Sequence, residues 1–133
     1  MNATGNPHTV SEYVAQAVRN STFAADIRKN QGRYLDWAAT CLFYAAVHYV
    51  NAYLVNSQIA IPRRHTSRDP KNLGRTNIVQ QDPSLTTIYV PYRHLDDESR
   101  DARYELKIIS EADYDSFLLP KLEQIQKFIT PLL

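Results

Sequence analysis

A chain of 133 residues, 44% hydrophobic and 22% charged, is composed for one folded domain, which excludes an extended disordered chain and leaves little room for a second domain. Fifteen basic and fourteen acidic residues, net +1, exclude a basic footprint spread over the whole surface, so any nucleic-acid site must be local. The single cysteine, Cys41, excludes an intrachain disulfide framework and fits a reducing, cytoplasmic setting.

The opening MNATGNPHTVSEY has no apolar run and no basic start. It reads as neither a signal peptide nor a membrane anchor, and residues 1–8 are expected to fray. No segment carries eighteen consecutive apolar residues, so a membrane-spanning helix is not expected. Thr9 or Ser11 caps a first helix, in which Val10, Val14, Ala17 and Val18 recur at helical spacing. Asn20-Ser21 is expected to interrupt it, with Ser21 recapping a continuation to about Asn30 and Gly32 ending it.

Residues 34–57, YLDWAATCLFYAAVHYVNAYLVNS, hold no Gly or Pro and are apolar on nearly every face. A helix apolar all round is a buried helix, here about 36 Å long, and the fold is expected to assemble around it. Its few polar residues, Asp36, Thr40, His48 and Asn51, need partners. Pro62 then opens a basic loop. Asp69-Pro70 predicts a helix over about 70–81, weakened by Gly74. Asp82-Pro83 repeats the start signal ahead of the stripe Leu85, Ile88, Tyr89, Tyr92 and Leu95, which Pro91 is expected to kink. DDESRD, residues 96–101, reads as a polar turn or helix end. Ser110 and Asp113 form a capping pair for a last amphipathic helix through Tyr114, Leu118, Leu122, Ile125, Ile129 and Leu132, bent or split at Pro120. No strand, hairpin or repeat signal appears. The expected fold is all-α: a four- to five-helix up-and-down bundle around residues 34–57.

The stretch IPRRHTSRDP places Arg63, Arg64, His65 and Arg68 within six positions, and residues 61–76 carry five basic side chains against Asp69 alone. Arginine forks before a helix start suit phosphate, whereas a charge run in itself often only solvates a loop. His65 and Arg68, three apart, pair a general base with a cation able to steady a pentacovalent phosphate. His48 reads either as a satisfied core histidine or as one wall of a small-molecule pocket with Tyr44, Asp36 and Trp37. SRDARY, residues 99–104, adds Arg100, Arg103 and Tyr104. Residues 93–115 hold eight acids and four bases, opposite in sign to the loop, which suits internal or dimer docking as well as RNA. The four histidines lack paired metal-ligand spacing, three glycines build no phosphate-cradling loop, and no cofactor is expected.

Taken together, DWAATCLFYAAVHYVNAYL at 36–54, His65 and Arg68, then Tyr92, Leu95 and SRDARY resemble the bacterial HEPN-domain family over about residues 11–130. The resemblance implies a small all-α bundle, typically a homodimer. Many such domains are metal-independent endoribonucleases of toxin–antitoxin or phage-defence systems; others bind nucleotides or scaffold a partner, often beside a nucleotidyltransferase. The family's ribonuclease signature, an Arg four to six residues before a His, is absent: positions 41–43, 58–60 and 87–89 hold no Arg. No catalytic residue transfers through it. What the blocks suggest instead is a phosphate groove of His65, Arg68, Arg64 and Arg103, in which an active form would use His65 to deprotonate a ribose 2′-OH. A non-catalytic dimerising scaffold is the competing expectation.

Overall fold

The computed structural model describes residues 5–30, 33–69 and 71–133, and every regular element among them is helical. Helix α1 is Val10–Lys29. The Thr9 hydroxyl accepts from the Glu12 N–H at 3.2 Å while the Glu12 carboxylate accepts from the Thr9 N–H at 3.2 Å. This reciprocal cap satisfies two of the amides that a helix start leaves bare. The expected break at Asn20-Ser21 does not occur: Ser21 donates back to the Val18 carbonyl at 3.0 Å, so its hydroxyl is satisfied without leaving the helix. Gly32 lies outside the described residues.

The terminus before α1 is anchored, contrary to the expected fraying, as far as it is described. Asn6 is buried, donates to the Ile59 carbonyl at 3.2 Å and accepts from the Ile61 N–H at 3.0 Å. The side chain of one asparagine thus substitutes for a short ladder between the N-terminal segment and the loop after α2.

Helix α2 is Leu35–Asn56, and 15 of its 22 residues are buried, which makes it the core of the bundle. It is long and apolar enough to cross a membrane, but 78% of its most apolar window is covered by the rest of the fold. α1, α4 (Tyr89–Tyr104) and α6 (Leu119–Ile129) pack on it. Alanines on both sides of the α1–α2 contact, such as Ala17, Ala24, Ala38 and Ala45, are fully buried and let the two helices lie close.

Helix α3 is Arg75–Gln81, shorter than the predicted 70–81. Gly74 is not a weak point inside it but the residue before its first turn. α4 follows a 3-10 turn at Thr86–Ile88. The kink expected at Pro91 is replaced by a clean start, because Pro91 is the third residue of α4, where an N–H has no intrahelical acceptor to lose. DDESRD is neither a turn nor a helix end. It lies within α4, with Asp96 and Ser99 buried.

Ser110 accepts from the Asp113 N–H at 3.0 Å, as its spacing predicts, and starts the short α5, Glu111–Asp113. A π-helical turn, Tyr114–Leu118, leads into α6. Pro120 occupies the first turn of α6, and the wider π turn ahead of it makes room where an unbroken α-helix would clash. Arg28 of α1 ties this junction down with a two-pronged bond to Asp115, at 2.9 and 2.8 Å. Leu132 leaves the apolar stripe and is exposed.

Candidate functional site

The buried polar cluster of this fold is centred on Arg75, only 7% exposed. Its Nε donates to Asn51 Oδ1 of α2 at 2.8 Å, one terminal nitrogen donates to the Pro62 carbonyl at 3.1 Å, and the other donates to His65 Nδ1 at 3.3 Å. All three acceptors are neutral, and among the described residues Arg75 forms no salt bridge. A guanidinium buried without a carboxylate partner leaves a positive field that water does not screen. That field reaches several neighbours. It helps hold the His48 imidazole below its ordinary value, after burial itself, and it opposes the upward push that burial gives the Tyr13 phenol. The Tyr92 hydroxyl and Thr76 Oγ1 are also buried, and Arg75 and Thr76 lie close enough to oppose the upward push that burial gives the Tyr92 phenol.

The loop of residues 59–74 is held over this cluster by its backbone. The Arg75 N–H donates to the Arg64 carbonyl at 2.9 Å and the Thr76 N–H to the His65 carbonyl at 2.7 Å. Asn77 Oδ1 accepts from the N–H groups of Ser67 and Gly74, at 2.9 and 3.2 Å. The loop thus uses the bare amides of the α3 start, and His65 is set in place. Its ring packs on Phe43, with centroids 5.4 Å apart, and on Tyr44, at 6.3 Å.

From α4, the charges of Asp96, Arg100 and Arg103 act on His65. Burial holds the His65 imidazole below its usual value; Arg75 adds to that, Asp96 opposes it, and Arg100 and Arg103 add smaller downward pushes. Asp96 is already paired with Arg100, at 3.4 Å. Arg103 donates to the Thr40 hydroxyl of α2 at 3.5 Å and lies 5.4 Å from the centre of the exposed Tyr104 ring. Around His65, then, three guanidinium groups face one carboxylate.

The predicted site residues are therefore divided. His65, Tyr44, Arg100, Arg103 and Tyr104 come together, although they are scattered over three elements. Arg63 and Arg64 instead line a loop pocket of about 750 Å³ with Lys71 and Asp69. Arg68 is exposed and makes no hydrogen bond or ion pair among the described residues. The stretch around it is not helical, so the three-residue spacing from His65 gives no common face. Asp36 and His48 stand twelve residues apart on α2, about 18 Å along its axis. Asp36 lines a separate surface pocket of about 290 Å³, with Tyr34, Leu106 and Ile108 among its walls. His48 stacks on Tyr13 at 6.0 Å, its Nδ1 buried without a partner among the described residues. Of the four residues proposed for one pocket, Asp36 and His48 therefore stand too far apart along α2 to line it together.

Arg75, Asn51 and Asp96 were not among the predicted site residues. Asn51 had a signal, an amide in a buried helix that needed a partner. Arg75 had none beyond its charge. A hollow of about 1040 Å³ lies elsewhere, against His8, Val14, Val55 and Leu133. No family model, curated protein or solved structure matches the chain.

Proposed function

We propose that this chain is a HEPN-like helical domain that binds phosphate groups of RNA or nucleotides on the face of the bundle bearing His65, Arg100 and Arg103. One observation carries the reading: Arg75 is buried with only neutral partners, and around His65 its charge adds to those of Arg100 and Arg103 against Asp96 alone. A site with this excess of positive charge attracts anions, and forked arginines match phosphate oxygens. The exposed rings of Tyr44, against His65, and Tyr104, against Arg103, offer faces for unpaired bases, which favours single strands over duplex. A role in a toxin or phage-defence pair, with a nucleotidyltransferase-type partner, follows from the resemblance alone.

A competing reading, a dimerising scaffold, draws on a different observation. Tyr34, Trp37, Tyr104, Leu106 and Ile108 are all more than half exposed, and a solvated monomer gains nothing from such a set.

The test is binding and cleavage of single-stranded RNA by the purified protein in EDTA, with His65→Ala, Arg103→Ala and Arg68→Ala compared. Salt-sensitive binding weakened by His65→Ala and Arg103→Ala, but little by Arg68→Ala, supports the phosphate site. Cleavage lost in the same two variants would make it a ribonuclease. Neither activity, in a folded homodimer, would favour the scaffold.

A further inference from the structure

We infer that Arg75 is a positioning residue that locks His65 as a neutral hydrogen-bond donor, with its proton on Nε2, so that His65 binds phosphate rather than acting as a general base. The functional half of this inference rests on the phosphate-binding reading above; the tautomer does not.

The argument begins from donors and acceptors. A guanidinium has hydrogens to give and no lone pair to offer. The 3.3 Å bond between Arg75 and His65 Nδ1 therefore requires a bare Nδ1. A neutral imidazole with a bare Nδ1 carries its hydrogen on Nε2. Arg75 is itself held against rotation, because Asn51 Oδ1 and the Pro62 carbonyl take its other nitrogens. Phe43 and Tyr44 hold the ring from the α2 side. His65 Nε2 has no partner among the described residues and is not one of the buried unpartnered atoms, so it opens to the surface.

General-base chemistry needs the opposite arrangement. For Nε2 to accept a proton it must be bare, which puts the hydrogen on Nδ1, face to face with the Arg75 N–H. Protonating both nitrogens creates the same clash. The charged groups facing His65 are Arg75 from α3 and Asp96, Arg100 and Arg103 from α4, three cations against one anion, which also disfavour an imidazolium. A donor at Nε2, in the field of Arg100 and Arg103, instead suits a phosphate oxygen.

The experiment is a long-range proton–nitrogen NMR spectrum of the full-length protein labelled with ¹⁵N, recorded from pH 6 to 8. It is run with and without a short oligouridylate and, separately, inorganic phosphate. The expected result is a protonated Nε2 and a bare Nδ1 for His65 throughout. Oligouridylate affinity should change less than twofold between pH 6.5 and 8. In Arg75→Lys, and in Asn51→Ala, the His65 signals should shift toward a mixture of tautomers. A wild-type His65 with its proton on Nδ1, or with both tautomers averaged, overturns the inference without any variant having to fold. So does His65-dependent RNA cleavage with a rate that rises as an imidazole deprotonates. Absence of binding to either probe would defeat the phosphate-binding reading and leave the tautomer assignment to be judged on its own spectrum.

Discussion

The His65 backbone rests directly on Gly74: a β-carbon at position 74 would meet the His65 carbonyl oxygen and the Thr66 Cα, each at 2.6 Å. These are main-chain atoms, fixed by the bonds from Arg75 and Thr76, and they have no easy way to yield. Gly74 is required by this close approach rather than by any unusual dihedral. We expect Gly74→Ala to lower stability by about 1–3 kcal/mol, the usual range for overpacking, and to weaken oligonucleotide binding by displacing His65. Urea unfolding and a binding titration check both; an unchanged urea midpoint would mean the loop can lift at little cost.

Asn51 offers a way to change the charge of the site from beneath. Asn51→Ala removes the acceptor of the Arg75 Nε at a buried position, and the expected loss is about 1–3 kcal/mol by chemical denaturation. Asn51→Asp keeps the acceptor and adds the carboxylate that Arg75 lacks. The expected outcome is a folded protein whose phosphate site has lost much of its excess charge. We expect roughly tenfold weaker binding of a single-stranded oligonucleotide, the equivalent of about 1.4 kcal/mol.

The salt dependence of binding separates the arginines. If Arg100 and Arg103 each neutralise one phosphate, then Arg100→Gln and Arg103→Gln should each reduce the slope of log affinity against log salt by about 0.7. Arg68→Gln should leave the slope nearly unchanged, since Arg68 is exposed and makes no hydrogen bond or ion pair with the cluster among the described residues. Equal effects at all three positions would indicate diffuse attraction to the loop instead of a site.

Stability should fall on mild acidification. In the folded chain both His48 and His65 are held below the ordinary imidazole value of 6.5, chiefly by burial. As pH drops through about 6.5 the unfolded chain takes up protons that the folded one resists, so stability is complete above that value and declines below it. The carboxylates with lowered values, Glu12 and Asp115, lose their contribution only at the more acid pH where carboxylates ordinarily titrate. We expect a lower urea midpoint at pH 5.5 than at pH 7.5, and a smaller difference in a His48→Gln, His65→Gln double variant.

Leu106 has φ 57 and is 84% exposed, so its backbone sits in the left-handed region without its side chain being buried in return. Leu106→Gly should relieve that strain and raise the melting temperature, by up to about 1 kcal/mol in stability. It also shrinks the exposed apolar patch, so a fall in self-association in the same variant would point to the scaffold reading.

Local chemistry made much of the fold legible in advance. Thr9 and Ser110 announced their helices because capping acts over three residues, and α2 declared itself by being apolar on every side. The failures came where partners distant in sequence decide. Asp96 and Ser99 look like turn residues until the rest of α4 carries them into the core. Gly74 looks like a helix breaker until the His65 backbone is seen against it. The site failed in the same way. Arg75 is one of five basic residues in a charged run, and nothing local distinguishes the one that turns inward to meet Asn51. Arg68, closer in sequence to His65, is the more tempting partner on spacing, yet it is exposed and makes no hydrogen bond or ion pair among the described residues.

The covering of α2 has a consequence for how the chain comes into being. α1 and α2 are adjacent in sequence and free to pair early, but α4 and α6, which close the rest of α2, are encoded much later. Synthesis proceeds from the N-terminus, so a half-made chain presents a long greasy helix with only one flank sheltered. Until the segment from Tyr114 to Ile129 emerges, that helix is a natural client for chaperones or for a lipid surface. The stretch from Tyr114 to Ile129 is therefore the one that completes the shelter of α2.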